Sequence, residues 1–123
     1  MLKVDVEKRD NNVITVKPKG RLDTETYMEF EKSIEPLLGK KPKAFVLDLS
    51  GLEYISSAGL GVIFGAKKII ESNKGSFLMT NLKPQIKKVF DIVKAMPTSS
   101  VFTSMQEVDN YLDAMQKKEM GSE

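Results

Sequence analysis

One stretch constrains this chain more than any other. Ala44-Phe-Val-Leu-Asp-Leu49 is a short apolar run, bounded by Lys-Lys-Pro-Lys before it and Ser50-Gly51 after it, as a strand buried in a sheet should be. From Ser57 onward the period changes to helical. At 100° per residue Gly59, Val62, Ile63, Ala66, Ile69 and Ile70 share one broad face, the natural core side. A buried strand that turns directly into an amphipathic helix commits the chain to an α/β arrangement, because the helix has to rest on the sheet that holds the strand.

The rest of the chain repeats that alternation. Leu2–Val6 has period two, Asp10–Asn12 reads as a turn and Val13–Val16 as the partner strand of an opening hairpin. A helix is expected from Thr24, with Tyr27, Phe30, Ile34 and Leu38 near helical spacing and Pro36 kinking it or ending it early. Gly75–Thr80 reads as a strand and Pro84–Val93 as a helix with Ile86, Val89, Phe90 and Val93 inward. Val101–Thr103 reads as a last strand. Ser104-x-x-Glu107 is a capping box for a final helix striped by Val108, Tyr111, Leu112 and Met115, and residues 116–123 are expected to fray. The predicted class is a single α/β domain over residues 1–115, in the order β-β-α-β-α-β-α-β-α, with a mixed sheet of about four or five strands and about four helices. Strands joined through single helices imply parallel neighbours, and the hairpin adds one antiparallel strand.

Composition narrows the chemistry. The 123 residues suffice for one core, and they include neither cysteine nor histidine. Thiol catalysis, thiolate or histidine-ligated metal and a Ser-His-Asp triad are therefore excluded, and no cofactor is called for. Gly59-Leu-Gly61-Val-Ile-Phe-Gly65 misses the dinucleotide fingerprint by one residue, and no Walker A loop is present. The net charge is only +2, and the lysines are dispersed without arginine or aromatic readers, which argues against direct nucleic-acid binding. No apolar run reaches the roughly 18 residues of a membrane span and the start lacks a signal-peptide core, so a cytoplasmic protein is expected.

The helix opening at Ser56-Ser57 carries the candidate site. Capping needs one serine, and Ser56 is the better placed. Ser57 is then left in the first turn, where the helix dipole and free N–H groups would accept a phosphate. Leu60 and Phe64 lie on the helix face opposite the core side, near Ser57; either a partner or another helix of the same domain covers them. Asp23, just before the first helix, reads as an N-cap or first-turn charge.

Taken with Gly20-Arg-Leu-Asp23, the segment from Asp48-Leu-Ser50 to Ile55-Ser-Ser-Ala-Gly-Leu-Gly61 resembles the STAS family, and within it the bacterial anti-sigma factor antagonists. The resemblance extends through element order to about residue 115. It places Ser57 on the phosphoacceptor and Asp23 on an aspartate that helps hold the kinase partner. Ser56 stands where the family often has aspartate, and Ala58 where it has a second hydroxyl residue. What the resemblance implies is a regulatory module and not an enzyme: it binds an anti-sigma factor with serine kinase activity, frees a sigma factor, is switched off by phosphorylation of Ser57 and is restored by a serine phosphatase. Ser56, Ala58, Gly59, Leu60, Gly61 and Phe64 would line the docking face with Asp23. Other members of such a family act as subunits of membrane-associated transport complexes or as small-ligand or nucleotide-binding domains, and both alternatives stay open at this point.

Overall fold

The computed structural model describes residues 2–95 and 105–120. Strand β1 (Leu2–Arg9) pairs antiparallel with β2 (Val13–Leu22) along its whole length. Asn11 and Asn12 make the turn between them in the left-handed region, at φ 67° and 59°, which asparagine tolerates better than most residues. Helix α1 (Tyr27–Leu38) leads to β3 (Ala44–Asp48), which lies parallel to the first half of β2 and, on its other side, to β5 (Ser76–Thr80). Strand β4 (Leu52–Ile55) pairs parallel with the second half of β2 through Gly20, Arg21 and Leu22. Pro18 falls between the two parallel pairings, where a missing N–H costs β2 nothing on that side. Helices α2 (Ser57–Ser72), α3 (Pro84–Ala95) and α4 (Met105–Met120) complete the described elements.

Alternation along the strands decides which sheet face the helices cover. Ile14, Val16, Phe45 and Leu47 turn inward and join Phe30, Ile34, Ile63, Ile70, Ile86, Val89 and Leu112 in one buried cluster. Their neighbours Lys3, Lys19 and Leu78 stay exposed on the opposite face. Phe45 and Phe77, cross-strand partners of β3 and β5, stack with ring centroids 5.7 Å apart.

The mixed sheet of five strands and the four helices agree with the fold class expected from the sequence. Four local expectations change. Leu52–Ile55 is a strand where the sequence suggested only a turn; four residues are too few to show a period. Pro36 sits inside α1, which continues two residues past it to Leu38. Ile69 is 45% exposed and Tyr111 is exposed too, so the apolar faces of α2 and α4 are narrower than their sequences suggest. The segment expected to fray from Gln116 instead continues α4 to Met120, and Gln116 is fully buried. The expected strand at 101–103 and Ser104 of the capping box lie outside the described residues.

Candidate functional site

Parallel pairing of β2 with β4 puts Leu22 opposite Ile55, so the residues that follow each strand, Asp23 and Ser56, emerge at the same sheet end. The Ser56 N–H donates to the Leu22 carbonyl at 2.9 Å and fixes the start of α2 there. Ser56 is the N-cap: its backbone is extended and its Oγ accepts from the Gly59 N–H at 3.2 Å. With 3% of its surface exposed, Ser56 serves the fold as a cap and adds only a small part of the cleft lining. Ser57, the first helical residue, is half-buried, and its hydroxyl makes no hydrogen bond among the described residues.

Asp23 organises the opposite wall. Its Oδ1 accepts from the N–H groups of Glu25 and Thr26 at 3.0 and 3.2 Å, and its carbonyl accepts from Tyr27 at 2.9 Å. The buried Thr26 hydroxyl donates to the Arg21 carbonyl at 2.7 Å and accepts from the Asp23 N–H at 2.9 Å. Asp23 thus caps the turn that leads into α1, and its Oδ2 accepts from Arg21 Nε at 3.4 Å. Burial works against its charge, but the hydrogen bonds from Glu25, Thr26 and Arg21 outweigh it and hold the carboxyl below its ordinary value.

Helix α4 supplies the third wall, which no local sequence signal announces. The Ser57 N–H donates to Asp109 Oδ1 at 2.8 Å. Gln116 inserts its amide beside β4, with Nε2 donating to the Ile55 carbonyl at 2.7 Å and Oε1 accepting the Ile55 N–H at 2.8 Å. A side chain thereby stands in for a neighbouring strand on the free edge of β4. Arg21 lies over the Tyr54 ring, 4.0 Å from its centroid. Burial, reinforced by the hydrogen bond to the Asp113 carboxylate, pushes the Tyr54 hydroxyl up to about 12 despite Arg21. Lys117 beside Asp113 holds that carboxyl low, against its burial.

These walls enclose an open cleft of about 460 Å³ lined by Arg21, Asp23, Glu25, Tyr54, Asp109 and Asp113 among others. Four carboxylates face one guanidinium, so the cleft is electronegative. Beside it, α1 and α2 leave an apolar groove of about 230 Å³ lined by Ile34, Leu38, Gly61, Val62, Gly65 and Ile69. Gly61 is exposed, and a methyl group added to it would meet no atom within 4 Å.

The structure corrects part of the expected docking face. Leu60 is only 4% exposed and belongs to the core cluster with Ile86, Val89 and Phe90 of α3 and Leu112 of α4. Gly59 is also buried, against Leu22. Phe64 remains 40% exposed while its ring packs edge-on against Phe90 at 5.9 Å. Leu60 is therefore buried within the domain itself, and Phe90 of α3 covers part of Phe64. Ala58 is half-buried and stays accessible with Gly61, as does Asp23.

Comparison with known proteins adds a family. The family model of the STAS domain matches residues 3–108. The anti-sigma F factor antagonist of Paenibacillus polymyxa is 27% identical over 125 residues, covering 98% of each chain. The anti-sigma-B factor antagonist of Bacillus subtilis is 29% identical over 91 residues, 74% of this chain and 82% of that one. Among solved structures, an anti-sigma factor antagonist from Mycobacterium paratuberculosis superposes with a TM-score of 0.67 at 20% identity, over 92% of this chain and 95% of that one. No described helix is long and apolar enough to cross a membrane.

Proposed function

Because the chain belongs to the STAS domain family, we propose that it is an anti-sigma factor antagonist whose binding is switched by phosphorylation of Ser57. Its sequence relatives carry that regulatory name, and the chain is a binding module and not an enzyme. The observation that carries the reading is the division of labour between the two serines. Ser56 is buried and committed to capping, whereas Ser57 is half-exposed next to Asp109 of the electronegative cleft and its Oγ makes no hydrogen bond among the described residues.

In the unmodified state the groove beside Gly61 and the carboxylate of Asp23 present a surface to an anti-sigma factor, and capture of that partner frees its sigma factor. The partner's kinase activity then transfers the γ-phosphoryl group of ATP: Ser57 Oγ bonds to the phosphorus, ADP departs and the hydroxyl proton is lost to solvent. A serine phosphatase reverses the change. Phosphoserine brings about −1.5 to −2 charges next to Asp109, which lines the cleft together with Asp23, Glu25 and Asp113. Two unit charges about 4 Å apart at an effective dielectric of about 20 repel by about 4 kcal/mol before surface screening reduces it. A loss of about 1.4 kcal/mol suffices for a tenfold weaker complex.

Incubation with ATP and the cognate anti-sigma factor kinase tests the assignment. Trypsin releases residues 44–67 as one peptide with Ser50, Ser56 and Ser57. Fragment masses are expected to place a single phosphate on Ser57, and Ser57→Ala to abolish labelling. Full labelling of the Ala variant would contradict the assignment.

A further inference from the structure

We propose that Asp109 and a phosphoryl group on Ser57 compete for the same helix terminus, so that modification releases the N-terminal half of α4. This rests on the reading of Ser57 as the acceptor. The first turn of α2 offers few donors to an anion. The Ser57 N–H is held by Asp109 Oδ1 at 2.8 Å, the Gly59 N–H by Ser56 Oγ and the Leu60 N–H by the Ser56 carbonyl, which leaves at most the Ala58 N–H. The positive end of the helix is therefore already matched by a carboxylate, and that carboxylate comes from an element 52 residues further along the chain.

A phosphoryl group on Ser57 Oγ meets Asp109 at close range. The phosphate is tied covalently to the helix start, whereas Asp109 is held there by one hydrogen bond and by the docking of α4. Asp109 is thus the group that moves. Two anchors confine the movement to one half of the helix: Leu112 is buried in the core, and Gln116 holds both backbone groups of Ile55. The turn around Asp109 consequently lifts while the Gln116 end stays docked. Asp109 acts through Ser57 as a positioning residue: it stiffens the first turn of α2 in the unmodified protein and reports modification to α4. A partner that touches α4 senses the state of Ser57 without touching Ser57.

Amide hydrogen exchange on the full chain with phosphoserine installed at position 57 during translation tests this without any kinase. Amides of residues 109–113 are expected to exchange about tenfold faster than in the unmodified chain, while the Ile55 amide keeps its protection within about twofold. Unchanged exchange at 109–113 overturns the proposal. Asp109→Asn keeps an acceptor oxygen for the Ser57 N–H and removes the charge, and the acceleration is expected to shrink to about twofold or less. An undiminished acceleration in that variant assigns the effect elsewhere and overturns the role of Asp109. In the wild-type chain, 1 M salt shortens the screening length to about 3 Å and is expected to reduce the acceleration as well; a response indifferent to salt counts against it. Failure of a kinase to label Ser57 removes the proposed switch and leaves this exchange experiment standing on its own.

Discussion

A methyl group on Gly59 would lie 2.7 Å from Leu22 Cγ and 3.0 Å from the Leu22 carbonyl, inside a packed core. Gly61, two residues on, faces open space above the α1–α2 groove. The same substitution should act in opposite directions at the two positions. Gly59→Ala is expected to destabilise the fold by about 1–3 kcal/mol through overpacking. Gly61→Ala is expected to stabilise it by up to about 1 kcal/mol through helix propensity, and to weaken binding of the anti-sigma factor by filling the docking groove. Urea midpoints and partner titrations of both variants check this; a Gly61→Ala protein that binds normally removes Gly61 from the interface. Helical phase was enough to separate Ser57 from the core face. It could not show that Leu60, opposite that face, is buried as well, because phase refers to one helix at a time and not to what packs around it.

At the scale of elements, the short free edge of β4 is the informative feature. Its outer backbone groups are satisfied by side chains: Gln116 takes both polar groups of Ile55, and Gln85 Nε2 donates to the Glu53 carbonyl at 3.3 Å. Gln116→Leu keeps the volume and strands two buried backbone groups, a loss expected to cost about 2–4 kcal/mol. Chemical denaturation measures it, and a cost below about 0.5 kcal/mol would show that the amide pairing adds little. Neither β4 nor this pairing was legible in the sequence. Four residues carry no measurable period, and Gln116 reads as the polar start of a tail until a partner 61 residues away is seen to need it. The long periodic segments were legible: α2 and α3 stand where their spacing put them, and the opening hairpin does too, although β2 runs on from the expected Val16 to Leu22.

Across the whole molecule, the parallel alignment of β2 with β4 turns three distant stretches into one surface. Asp23, the serine pair and Asp109 meet at one sheet end, where Asp23, Ser56 and Asp109 line the polar cleft. The places of Asp23 and Ser57 at element boundaries were legible in the sequence, because hydroxyl and carboxylate residues before a helical period mark its start. That of Asp109 was not, because a carboxylate on the polar side of a terminal helix looks like any solvated charge. Under the proposed switch, charge placed on Ser57 weakens capture of the partner. Calorimetric titration of the cognate anti-sigma factor kinase with the unmodified chain, and with the chain carrying phosphoserine at position 57, tests it directly. The phosphoserine form is expected to show a Kd at least about tenfold higher, equivalent to about 1.4 kcal/mol; equal Kd values for the two forms would rule the switch out.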